Sequence, residues 1–210
     1  MTDVLLIILT ISLLYMSIVN RLTTYLRILV LQGLILFGTT FLTLTEVNMV
    51  NLLLIMLETL VFKAIAVPWF MNYIIRKNHI TREAEPYLPN FLSLLIVTLI
   101  IVFAIILASF IQDKNLDKTF FVVAFSTIFT GLYLIVSRKK IITHVMGYIV
   151  IENGVFVLSL AVGNEMPMLV NLGIMLDIFA TVLILGIFFN KIGDVIVDPD
   201  VDLLSNLKDN

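Results

Sequence analysis

The stretch 144-HVMGYIVIENGVFVLSLAVG-163 has the length and apolar character of a helix that crosses a bilayer, with Glu152 as its one formally charged side chain. A spanning helix needs about 20 mostly apolar residues. An ionisable group near its centre costs about 2.5 to 3.5 kcal/mol on insertion scales, so such groups face protein or internal water rather than lipid. The question this stretch poses is therefore what stands around Glu152.

The rest of the chain is of the same kind. Of its 210 residues, 60% are hydrophobic and 13% are charged, and the mean hydropathy is +1.11. These values lie outside those of water-soluble domains and indicate a membrane protein. A net charge of −2, with basic residues scattered along the chain, excludes a nucleic-acid-binding surface. There is no cysteine, so no disulfide, iron–sulfur cluster or thiol nucleophile is available. His79 and His144 both fall at expected membrane edges. No cofactor is expected on this chain, and no phosphate loop, zinc pattern or nucleophile motif is visible. The opening MTDVLLIILTISLLYMSIVN carries an acid and no small-residue cleavage site, so the first segment is expected to stay as a spanning helix.

The expected fold is an all-α polytopic bundle of about seven transmembrane helices, over 4–20, 26–45, 49–74, 90–111, 119–136, 142–163 and 168–189. Residues 1–190 form the bundle and 191–210 an acidic tail. Pro68 removes a backbone hydrogen bond from the third span and predicts a bend there. The fourth span has no ionisable group and reads as structural or lipid-facing. Basic residues set the direction. Arg21, Arg27, Arg76, Lys77, Arg82, Arg138, Lys139, Lys140, Lys191 and Lys208 fall at one set of helix ends, and only Lys114 and Lys118 at the other. This puts the N-terminus outside and the C-terminus in the cytoplasm.

The remaining basic residue, Lys63, lies inside span three. Glu58 lies in the same span, Glu152 in span six and Asp177 in span seven. At 1.5 Å per residue, the three acids sit about 14 to 15 Å deep, near the midplane of a roughly 30 Å core. Four ionisable groups at one depth predict a shared polar layer. One reading is interhelical glue, in which each hydrogen bond contributes about 0.6 kcal/mol. The other is a proton path, in which carboxyl groups on different helices act as stations joined by internal water. The second accounts better for three acids and a lysine. His144, Tyr148 and Glu152 are spaced i, i+4, i+8 and climb one helix face from the membrane edge to the midplane. They read either as a proton feed or as ordinary interfacial residues below Glu152. Gly147 and Gly154, seven apart, point to close helix packing.

Residues 21–75 and 138–192 share an order of features: a basic start, a Gly-bearing helix, a short loop, then a helix with an acid after leucine. The acid sites read MLETLVFKAI at 56–65 and MLDIFATVLI at 175–184. The copies run in one direction, as a weak parallel repeat.

MGYIVIENGVFVLSLAV at 146–162, followed by PMLVNLGIMLDIFATVLILGIF at 167–188, resembles the hydrogenase-4 component E family. The C-terminal half of that family is similar to the K subunit of respiratory complex I and the C subunit of Mrp-type antiporters. The resemblance is strongest over about 140–190. It implies a non-catalytic subunit of a membrane-bound oxidoreductase complex in a bacterial or archaeal cytoplasmic membrane. Its partners would be antiporter-like membrane subunits and other members of a hydrogenase-like or complex I-like assembly. Asp177 falls where the small subunit has the acid of its last helix. Glu152 lies about one turn beyond the position of that subunit's other acid. Two alternatives stand beside this reading: a subunit of a cation/proton antiporter without a redox partner, and a purely structural spacer.

Overall fold

The computed structural model describes residues 1–43, 53, 56–77, 86–113, 116–162 and 186. Among these the protein is helical, with a single isolated pairing of Pro86 and Arg138 as its extended contact. It is a helical membrane bundle. Among the described residues, four helices are long and apolar enough to cross a membrane: α2 (Leu22–Thr43), α4 (Asn90–Phe110), α5 (Lys118–Ser137) and α6 (Ile141–Val162). α1 (Thr2–Ile18) is shorter and equally apolar. These elements coincide with the expected spans 4–20, 26–45, 90–111, 119–136 and 142–163 to within four residues at either end. Span seven, Asp177 and the acidic tail lie outside the described residues.

The third span differs from a plain α-helix. Met56–Ala66 is wound as a π-helix and passes into α3 (Val67–Lys77). The buried positions follow the winding. Glu58 and Thr59 are repeated five residues on by Lys63 and Ala64, then four on by Val67 and Pro68. A π-helix bonds each carbonyl to the N–H five residues ahead, which sets the first interval, and the α-helix sets the second. The change falls at Pro68, whose ring nitrogen has no N–H to donate.

Helix ends are fixed locally. Asp117 caps α5 by accepting from the Thr119 and Phe120 N–H groups at 2.9 and 3.2 Å. Its own N–H donates to the Ala161 carbonyl at 3.0 Å, tying the start of α5 to the end of α6. At the other end of this hairpin the chain turns through residues 138–140, where the Thr143 and His144 N–H groups close on the Lys140 carbonyl.

Arg138 fastens that end. It was counted above among loop cations, yet it is only 1% exposed. Its guanidinium donates to the Ser17 carbonyl at 2.7 Å and to Asn20 Oδ1 at 3.3 Å, and it lies 5.7 Å from the Tyr25 ring centre. A cation on the last carbonyls of a helix satisfies acceptors that the helix leaves open. One side chain thus joins the end of α1, the start of α2 and the α5–α6 turn.

Packing splits the interior into two apolar clusters. One holds Leu13, Leu29, Val67, Leu134 and Val150; the other holds Leu9, Ile35, Ala124 and Phe156. Glycines bring the helices together between them. A Cβ on Gly131 would lie 2.7 Å from the Gly147 carbonyl oxygen, and one on Gly154 2.8 Å from the Ile128 nitrogen, so α5 and α6 meet backbone to backbone. A Cβ on Gly33 of α2 would lie 2.8 Å from the Ala64 nitrogen of the π-helix.

Gly33→Ala is expected to destabilise the protein by about 1 to 3 kcal/mol, because rigid backbone is in the way. Among the described residues, Gly38→Ala meets only the movable Leu5 Cδ1 at 3.2 Å and is expected to be nearly neutral. Unfolding midpoints in a denaturing-detergent titration check the pair; equal midpoints would show that α2 does not need this close approach.

Candidate functional site

Between the two apolar clusters lies a layer of polar side chains. On α1 it falls at Ser12, between Leu9 and Leu13. On α2 it falls at Gln32, between Leu29 and Ile35, and on α6 at Glu152 and Asn153, between Val150 and Phe156. The π-helix contributes Glu58 and Lys63. All six are buried.

The winding of the π-helix makes its pair. In an α-helix, residues five apart point about 140° away from each other. In a π-helix the hydrogen bond spans five residues, so such side chains stack on one face. Glu58 and Lys63 are five apart, both 4% exposed, with Oε1 and Nζ separated by 3.9 Å. That separation is a charge–charge contact, longer than a hydrogen bond. Lys63 Nζ also lies 4.8 Å from the ring centre of Phe156 on α6, a cation–π distance. Phe156 is one turn from Glu152 on the same helix face, and Glu152 and Glu58 are close enough to interact electrostatically. Gly33 holds the α2 backbone against Lys63 and Ala64. Lys63 is thereby fixed beside Glu58 and against Phe156 of α6.

Glu58 and Glu152 are carboxyl groups on different elements of one buried layer, and a carboxyl group can hold or release a proton. In a medium where uncompensated charge is costly, this arrangement suits the exchange of one proton between two helices.

A neutral chain runs beside it. Asn153 Nδ2 donates to Gln32 Oε1 at 3.1 Å, Gln32 Nε2 to Ser12 Oγ at 2.9 Å, and Ser12 Oγ to the Leu9 carbonyl at 2.6 Å. It links α6, α2 and α1 at one depth. Among the described residues, Glu58 Oε1 and Asn153 Oδ1 are buried oxygens without a hydrogen bond, a state that proteins usually relieve with ordered water. No group of three or more His, Asp or Glu side chains converges on a metal-sized site among the described residues.

Of the residues singled out in the sequence, Glu58, Lys63 and Glu152 come together in this layer. Asp177 lies outside the described residues. His144, half-buried at the start of α6, has its Nε2 2.7 Å from the Arg138 carbonyl, which ties it to the turn. Tyr148 is 37% exposed on the outer side of α6, one turn below the buried Glu152. Ser12, Gln32 and Asn153 were not singled out. The signal for the two amides was present, since each is a polar residue in mid-span, but neutral amides were not weighed with the charges.

The chain is similar to the uncharacterized protein Rv0085 of Mycobacterium tuberculosis, with 24% identity over 156 residues, 73% of this chain and 71% of that protein. No family model and no solved structure matches it.

Lys63→Met leaves the buried Glu58 carboxyl without this counter-charge and is expected to destabilise by about 3 kcal/mol, whereas adding Glu58→Gln to it should recover part of that loss. A double-mutant cycle of unfolding free energies is expected to give a coupling of about 1 kcal/mol or more between the two positions. Strictly additive losses would mean that the pair does not interact.

Proposed function

We propose that this protein is a membrane subunit of a redox-driven ion-pumping assembly of the hydrogenase-4-like or complex I-like type, and that it supplies mid-membrane carboxyl groups for lateral proton transfer. The observation that carries the proposal is the Glu58–Lys63–Glu152 set. It is three ionisable side chains from two separate elements, buried at one depth between two apolar clusters. Structural glue needs complementary partners in equal number, and the Ser12–Gln32–Asn153 chain already provides such glue. A second carboxyl on another helix of the same layer adds a group that can hold and release a proton.

In this reading the chain has seven spans, an external N-terminus and a cytoplasmic C-terminus, following its basic residues. Asp177 on the seventh span is a further station. His144 and Tyr148 stand on the α6 side of the route from the cytoplasm. The membrane is the cytoplasmic membrane of a bacterium or archaeon. The partners are antiporter-like subunits, to which protons pass sideways, and the chain is not itself a catalyst. Its resemblance to the hydrogenase-4 component E family, carried by 146–162 and 167–188, supports this assignment.

Glu152→Gln and Asp177→Asn are each expected to abolish coupled proton transport by the assembled complex in vesicles, as read by a pH-sensitive dye, while the complex still assembles. An unchanged gradient in both variants would leave a structural spacer. Identification of the polypeptides that accompany the chain after gentle detergent extraction decides between assemblies. Metal-centre-bearing redox subunits support the proposal, and antiporter subunits alone point to an Mrp-type exchanger.

A further inference from the structure

A row of hydroxyl groups lines one face of α5. Ser126, Thr130, Tyr133 and Ser137 are spaced i, i+4, i+7 and i+11, which places them within a sector of about 60° around the helix. α5 packs on both α1 and α4, and those two pack on each other. Tyr133 marks the α4 side of the face by donating to Ser93 Oγ at 2.8 Å.

These hydroxyls differ from the others in the bundle. Ser12, Ser17, Thr39, Thr40, Thr127 and Thr143 each donate to a carbonyl in the preceding turn of their own chain, the usual resort of a hydroxyl inside a helix. Ser126 and Thr130 are fully buried and Ser137 is 4% exposed. The hydroxyl oxygens of all three have no hydrogen-bond partner among the described residues. A second helix repeats the pattern at the Arg138 end of the row. Tyr25 of α2 is fully buried with its ring beside the Arg138 guanidinium, it interacts electrostatically with Tyr133, and its hydroxyl also has no partner among the described residues.

Four buried hydroxyls from two helices, all open to a further hydrogen bond and set in sequence from one end of the bundle to mid-depth, fit a ligand that both donates and accepts along its length. We infer that the α1–α4–α5 seam is a water-binding site, in which a short file of water molecules is held by Tyr25, Ser137, Thr130 and Ser126. The fixed positive charge of Arg138 at its end disfavours cations, so the file takes neutral water and not sodium or potassium. α1, which packs on α5, carries at mid-depth Ser12, where the chain through Gln32 to Asn153 begins. The purpose of the file rests on the function proposed above: it hydrates the layer in which the carboxyl groups exchange protons.

The absence of cysteine from the chain allows a test that does not depend on transport. Ser126→Cys, Thr130→Cys, Ser137→Cys and Thr127→Cys are made singly in the full chain in native membranes. Each is then treated with methyl methanethiosulfonate, a small neutral reagent that reaches thiols from either side. Only the thiolate reacts, and a thiol in dry packing stays protonated, so Ser126→Cys, Thr130→Cys and Ser137→Cys are expected to react about tenfold faster than Thr127→Cys or more. Thr127 is the dry reference, being fully buried with its hydroxyl on the Val123 carbonyl at 2.6 Å.

Equal, slow reaction at all four positions would overturn the water file. Because three seam positions are probed separately, a failure of one variant to fold leaves two readings. If the seam thiols react fast while Glu152→Gln leaves transport intact, the water site stands and the proton-transfer function falls. If Glu152→Gln abolishes transport while the seam thiols are slow, the function stands and the water file falls.

Discussion

An ammonium group and carboxyl groups removed from water must stand close to each other, and the bundle is arranged around that requirement. Lys63 can meet Glu58 only because the third element is wound as a π-helix, which brings residues five apart onto one face. It can lie against Phe156 of α6 only because its backbone is held to α2 where Gly33 has no side chain. π-helical stretches are rare and are frequent at functional sites. Here the winding has a direct structural consequence, since an α-helix of the same sequence would point one of the pair elsewhere.

The polar layer and the Arg138 node divide the work of holding the helices. Arg138 joins three elements at one end through a carbonyl, an amide oxygen and an aromatic ring, so its burial is matched by partners. At mid-depth the neutral chain from Asn153 to Ser12 fixes α6, α2 and α1 in register. Lipid supplies no hydrophobic force between helices. These polar ties and the glycine contacts of α5 with α6 therefore set the arrangement that the charged set needs. The remaining surface, including most of α4, is aliphatic and exposed, as the fourth span's sequence suggested.

How much of this was legible follows from what each feature depends on. The ends of α1, α2, α4, α5 and α6 could be read closely, because length and apolar composition alone decide which segments can cross a bilayer. The depth of Glu58, Lys63 and Glu152 was legible for the same reason, by counting residues from a helix end. Ser12, Gln32 and Asn153 were not recognised as a unit, because each is unremarkable alone and they become a chain only when three helices converge. Arg138 was read as a cation at a helix end; its burial arises from the end of α1 and the ring of Tyr25, which are distant in sequence.

The amino-acid order by itself determined that the chain is a membrane protein, where α1, α2, α4, α5 and α6 begin and end to within a few residues, and that ionisable groups stand within its apolar segments. These are properties of single segments in a medium without water. Tertiary structure decided which groups face each other: the π winding that pairs Glu58 with Lys63, the glycine contact that fixes Lys63 beside α6, and the partners that accept Arg138. The reason is physical. Burial cost is fixed by residue type and depth, whereas compensation depends on separations of a few ångströms between groups that the chain brings together only by folding.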